Sequence, residues 1–351
     1  MFQQLNNFLK RIFPNEETIA VTLLIIFTVF LLFLLEGILT PFLISIVFAY
    51  LLVGVQLRLE RIGISSGFAL TITFGIFLSL GVALLLWLIP LLYAQTNEIL
   101  KEIPVMFDAF KVTISTMSNQ LPGSSVSQEI ISGAIDIIKK TVESSSQVFI
   151  AYGVGGIQTV FSVALTLIML PILVFFLLFD RQSVINSFIS ILPKERSMLN
   201  AVWQEMDGQL SNYVRGKSLE ILIVGGVAAI IFMVFGLKYT AVLAALVGFS
   251  VLIPFLGAIL VTIPVMFVGF VQFGFSFELL LLFGSYTILQ MLDGYLLVPI
   301  LFSDAVKLHP FMIILAVFVF GGLFGFWGVF FAIPIATFIK ALWNSWPSSS
   351  S

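Results

Sequence analysis

Asp293 stands inside an apolar run, in Leu289-Gln290-Met291-Leu292-Asp293-Gly294-Tyr295. A carboxylate at membrane depth costs roughly 2.5 to 3.5 kcal/mol on insertion scales, so one that is retained marks a candidate site for a proton or an ion. Gln290 shares its face of a helix, and Gly294 leaves bare backbone beside it. A structural hydrogen bond to a neighbouring helix, or a carboxyl kept neutral by burial, accounts for the residue equally well at this stage. Glu220 opens another apolar run, about one turn from Arg215 and Lys217. An interfacial ion pair is the structural alternative to a coupling role there.

A second kind of chemistry needs no charge. Ile253-Pro254-Phe255-Leu256-Gly257 interrupts an apolar run, Pro299 interrupts another, and Gly321, Gly322, Gly325 and Gly328 punctuate a third. Broken helices expose carbonyl and N–H groups that bind ions or solutes where they line a cavity. A kink or re-entrant hairpin that only shapes the bundle remains open as the alternative. The four-residue spacing of Gly321 and Gly325 also suits close helix approach. Asp304, Lys307 and His309 gather before Pro310, a solvated loop or a gate at the expected outer end of its span.

Several chemistries are excluded or disfavoured. There is no cysteine, so disulfides, thiolate catalysis and Cys-ligated metals are out, and a single histidine leaves no His cluster for a catalytic metal. A net charge of −2 gives no basic footprint for nucleic acid. No G-x-x-x-x-G-K-[ST] occurs, so nucleotide hydrolysis is not expected to drive any activity. No Ser/His or paired-carboxylate arrangement suggests an enzyme, and no cofactor is implied.

The elements that must hold these residues are membrane helices. Of the 351 residues 60% are hydrophobic and 10% charged, with a mean hydropathy of +1.16, far from soluble domains. Apolar runs of 17 or more residues, enough for about 30 Å of hydrocarbon, fall at about 19–35, 38–57, 68–92, 154–179, 219–235, 241–270, 279–301 and 311–339. The expected fold is all-α and polytopic, with about eight transmembrane helices and broken or re-entrant ones in the C-terminal half. Residues 1–18 suit an interfacial helix. Residues 93–147 are polar and amphipathic, with apolar residues three and four apart, and read as two extracytoplasmic helices joined by a Pro-Gly turn. Residues 194–214 carry Met198, Val202, Met206 and Leu210 on one face and are expected to lie along the cytoplasmic membrane surface. The organisation is then 1–92, three spans with their leading helix; 93–150, the outer segment; 151–217, span four and its amphipathic helix; and 218–351, a Gly/Pro-interrupted transport core. Placing both termini in the cytoplasm puts ten of the sixteen Lys and Arg residues inside.

An ordered set of short motifs resembles the autoinducer-2 exporter family of bacterial inner-membrane proteins, also described as predicted permeases. It comprises Leu192-Pro193-Lys194-Glu195, Tyr213-Val214-Arg215-Gly216, Ile253 to Gly257, Gln290 with Asp293 and Pro299, Leu308-His309-Pro310, and Gly321 to Gly328 leading to Ala332-Ile333-Pro334. The resemblance implies about eight spans, an outer helical segment after span three, a homo-oligomer and no ATP domain. Carried onto matching positions, it points to Arg215, Pro254, Gly257, Gln290, Asp293 and Pro299; Glu220 matches no family pattern. It implies export of a small solute such as autoinducer-2, or sodium or lithium/proton antiport. The expected partners are the lipid bilayer, a small solute or ion, and further copies of the chain. A non-transporting oligomeric scaffold that recruits a partner through 93–147 is the reading from a different class.

Overall fold

The computed structural model describes residues 15–118, 133, 140, 157–192, 196–302 and 308–346. Among them the only regular structure is helical: α1 (Glu16–Leu34), α2 (Glu36–Arg61), α3 (Ser66–Ala83), α4 (Ile89–Ser118), α5 (Ile157–Phe179), α6 (Arg181–Ile191), α7 (Ser197–Val234), α8 (Thr240–Ser250), α9 (Leu256–Phe273), α10 (Phe277–Leu292), α11 (Val298–Phe302), α12 (Pro310–Phe330) and α13 (Ala332–Ser345). Two π-helical turns, Leu84–Leu88 and Asp293–Leu297, join α3 to α4 and α10 to α11.

The described residues hold seven helices long and apolar enough to cross a membrane, or eight when Val163–Phe179 and Arg181–Ser187, bent by 87°, count as one span. Each of the eight apolar runs of the sequence carries one. A helix satisfies its own backbone in lipid, which is why these runs fold this way. Their outer sides stay bare: Leu86, Trp87, Leu222, Val234 and Phe318 are all exposed. Hydrocarbon is the solvent in which such surfaces cost nothing.

The chain divides into two compact units, one of residues 1–78, 166–218 and 300–351, the other of 79–165 and 219–299. The C-terminal stretch 218–351 is thus shared between them. In the second unit Val224 and Phe232 of α7, Leu243 and Val247 of α8, Val265 of α9 and Leu282 of α10 form one buried cluster, which Met106 of α4 joins. In the first unit, Val21 of α1 packs with Met198 and Val202 of α7 and Leu342 of α13. There the Glu17 carboxylate accepts from Leu199 N at 3.0 Å, capping the start of α7.

Two expectations change. The amphipathic segment 194–214 is not a separate surface helix: α7 runs unbroken for 38 residues, about 57 Å, through it and into span five. Its inward face is held by the contacts with α1 and α13, so no break is needed. Likewise the first expected outer helix continues span three, since helix runs from Ser66 to at least Thr113, 48 residues and about 72 Å. Residues 1–14 of the interfacial helix expected over 1–18, all of the second outer helix but residues 133 and 140, and Asp304 and Lys307 lie outside the described residues.

Candidate functional site

Asp293 sits where α10 changes pitch. The helix reaches Leu292 in α form and then opens into the π turn Asp293–Leu297. Single π turns inside helices occur often at functional sites, because the extra residue re-aims side chains. Pro299 follows in α11 and has no N–H to give to the preceding turn, which suits an irregular ladder there. Asp293 and Gln290 are both half-buried.

A chain of hydrogen bonds leads from Gln290 into the core of the second unit. Gln290 Nε2 donates to the Tyr286 hydroxyl at 2.6 Å. That hydroxyl lies 3.1 Å from Thr262 Oγ1, and the Thr262 hydroxyl donates to the Ala258 carbonyl at 2.7 Å. With Thr262 already donating to Ala258, the Tyr286 O–H is the donor in the middle link. Tyr286 is 1% exposed and stacks on Phe232 at 6.2 Å. Sequence reading missed both Tyr286 and Thr262. The signal was there in the i, i+4, i+7 spacing of Tyr286, Gln290 and Asp293, one polar stripe on an apolar helix.

Ala258 lies in the first turn of α9, directly after the break. Phe255 has φ 64° and ψ −49°, and the chain reverses between α8 and α9. Gly257 lies so close to the Ser250 carbonyl oxygen that an added Cβ would sit 1.7 Å from it. Seven residues of straight helix would separate these backbones by about 10 Å. Both ends of the hairpin meet: Gln272 Oε1 accepts from Lys238 N and its Nε2 donates to the Gly236 carbonyl, each at 2.8 Å. So the run 241–270 turns back. Pro254 and Gly257 make a reversal and not a kink.

The second Gly-rich run behaves the same way in the other unit. Gly325 has φ 57° and breaks α12, an added Cβ on Gly328 would lie 1.8 Å from the Phe320 carbonyl oxygen, and one on Gly321 would lie 2.8 Å from Val329 Cγ2. The Gly321/Gly325 spacing is therefore part of a chain reversal and not a helix-contact face. Close helix approach occurs instead between α7 and α8, where an added Cβ on Gly225 would stand 3.2 Å from Gly248 Cα.

Arg215 belongs to the first unit, where its guanidinium packs over Gly54: an added Cβ there would lie 2.9 Å from Nη2. Arg215 Nε is buried without a hydrogen-bond partner among the described residues. Lys217, 5% exposed, lies 5.3 Å above the Phe302 ring. Glu220, 2% exposed, is three residues further along α7 and falls in the second unit. The sequence candidates therefore fall in two groups. Asp293, Gln290, Glu220, Pro254, Gly257 and Pro299 lie in the second unit; Arg215, Gly321, Gly325 and Gly328 lie in the first. His309 is the N-cap of α12, its Nδ1 accepting from Phe311 N at 3.3 Å.

The first half of α4 clamps the α7–α8 turn. Gln95 Oε1 accepts from Ala241 N and Val242 N at 2.9 and 3.2 Å, capping α8. Glu102 Oε2 accepts from the Tyr239 hydroxyl at 2.6 Å and lies 3.5 Å from Lys238 Nζ. Tyr239 itself holds φ 57°. The Tyr239 hydrogen bond, helped by Lys238, lowers the Glu102 carboxyl below its usual range, while burial and the Glu102 bond push the Tyr239 hydroxyl up.

The family model for AI-2E family transporters matches residues 19–348. The chain belongs to the AI-2E transporter family. "Putative permease PerM" of Escherichia coli strain K12 is 38% identical over 347 residues, 99% of this chain and 98% of the relative. "Putative transport protein YrrI" of Bacillus subtilis strain 168 is 26% identical over 92% of this chain and 94% of its own. A Methanocaldococcus jannaschii protein, "Putative transport protein MJ1177", is 22% identical over 68% of this chain and 72% of its own. The AI-2E chain is thus a multi-pass membrane protein of a transporter family.

Proposed function

We propose that the chain is a gradient-driven secondary transporter of a small solute, with the Asp293 carboxyl carrying the coupling proton or ion. The observation that supports this most is the placement of Asp293: a half-buried carboxylate in an apolar helix, at a π turn, whose neighbour Gln290 is hydrogen-bonded through Tyr286 and Thr262 to the broken helix at 254–257. A fixed hairpin and an irregular helix together supply backbone groups and one ionisable side chain. The resemblance to autoinducer-2 exporters makes autoinducer-2 one solute class to test; sodium(lithium)/proton antiport is the second reading, favoured by a carboxyl able to carry either a proton or a small cation. The protein works as a homo-oligomer in a bacterial inner membrane, with both termini cytoplasmic.

The test uses inverted membrane vesicles with an imposed pH gradient and a pH-sensitive dye. Sodium, lithium or autoinducer-2 is added to wild type and to Asp293→Asn at equal membrane content. A wild-type response that the variant lacks supports the reading, and the effective addition names the solute class. Equal responses in both would remove Asp293 from the mechanism. No response, together with loss of function on deleting 93–147, would favour a scaffold.

A further inference from the structure

We propose that Tyr286 and Thr262 are positioning residues that fix the Gln290 amide so that its oxygen, and not its N–H, is offered to the Asp293 turn. This rests on the transport reading above and adds the chemistry the site selects.

Gln290 alone has no preferred amide orientation, because its two ends are nearly the same shape. The hydrogen-bond chain removes that freedom. The Ala258 carbonyl can only accept, so Thr262 donates to it at 2.7 Å. Thr262 then has an acceptor left for the Tyr286 hydroxyl at 3.1 Å, and the Tyr286 oxygen has an acceptor left for Gln290 Nε2 at 2.6 Å. Each link sets the direction of the next. The backbone of the broken helix therefore dictates which end of a side chain on the neighbouring helix α10 faces Tyr286. With its N–H group committed there, the amide offers oxygen to the side of Asp293, three residues on.

A carboxyl group and an amide oxygen on one face of a helix form a pair of acceptors. Such a pair suits an electron-poor guest, either the hydroxyl hydrogens of a polyol-like solute or a small monovalent cation with oxygen ligands. Phe232, stacked on Tyr286 at 6.2 Å, and Leu282, fully buried beside it, hold the ring without contributing polar atoms. The ring's packing and its hydroxyl can therefore be tested apart.

The experiment compares Tyr286→Phe, Thr262→Val and, as a packing control, Phe232→Leu. Two measurements are made. The infrared bands that Asp293→Asn removes from purified protein report hydrogen bonding at the Asp293 carboxyl without any solute. Uptake in vesicles gives KM and kcat for sodium, lithium and autoinducer-2 separately, which distinguishes the two guests. In Tyr286→Phe the Asp293 bands shift, and KM for the probe that wild type moves rises about fivefold at unchanged kcat, the effect of one neutral hydrogen bond. Thr262→Val acts in the same direction, the double variant is no worse than Tyr286→Phe, and Phe232→Leu leaves the bands in place. Unmoved bands in Tyr286→Phe overturn the inference, as does a shift that Phe232→Leu reproduces. If wild type moves none of the three probes the transport reading fails, and the infrared bands alone then decide whether the amide is positioned.

Discussion

At the scale of single residues, the glycines of the two breaks divide into those that chemistry requires and those it does not. Gly257 has the Ser250 carbonyl where its side chain would be, so Gly257→Ala must push apart the two arms of the α8–α9 hairpin. Nothing lies within 4 Å of the Cβ position of Gly226 in α7, so Gly226→Ala adds a methyl to open space and gains helix propensity. The expected outcome is a loss of about 3 kcal/mol or more for Gly257→Ala, seen as low membrane content and early thermal unfolding, with Gly226→Ala at or above wild-type stability. Equal stability of the two variants would mean that the hairpin turn is not as tight as described. Sequence made Gly257 visible because it follows a proline in an apolar run. It gave no sign that a carbonyl seven residues back was the reason, since that contact exists only once the chain has turned.

Among elements, the α7–α8 turn depends on side chains from α4 more than on its own residues. Gln95 supplies the cap that α8 lacks locally, and Glu102 holds Tyr239, which has a left-handed backbone that tyrosine seldom adopts. Gln95→Ala is expected to cost about 1 kcal/mol of thermal stability, the usual worth of an N-cap, with no change in membrane insertion. The Glu102 contact adds a pH dependence. Its carboxyl is held below the usual carboxylate range by the Tyr239 hydrogen bond and by Lys238, so the contact contributes its stability at neutral pH and loses it as pH falls through the lowered carboxyl value. Thermal unfolding of wild type and Glu102→Gln should therefore differ at pH 7 and converge in acid; a gap that persists in acid would assign the difference to packing. Periodicity in the sequence did show that 93–118 is amphipathic. It could not show where the apolar side docks, because Phe107 and Phe110 meet Phe267, some 160 residues later.

For the whole molecule, hydropathy located every apolar run but could not tell a crossing from a return, because both have the same composition. Geometry separates them. α8 has 11 residues, about 16 Å, and its start lies beside the end of α9 through Lys238 and Gln272. The hairpin therefore leaves and re-enters the same face. α10 starts at that end, where Leu279 and Leu282 flank Gly269. The helical stretch Phe277–Phe302 then rises about 39 Å, and Phe302 packs on Gly216, midway along the unbroken α7. A return at 254–257 thus leaves Lys238 and Gln272 on one face, whereas counting each apolar run as one crossing puts them on opposite faces. The absence of cysteine makes this directly measurable with single-cysteine variants and a membrane-impermeant maleimide. Lys238→Cys and Gln272→Cys should label from the same face. Labelling of Gln272→Cys from the face opposite Lys238→Cys would show that 240–273 crosses the membrane, and the broken helix at Gly257 would then be a kinked span.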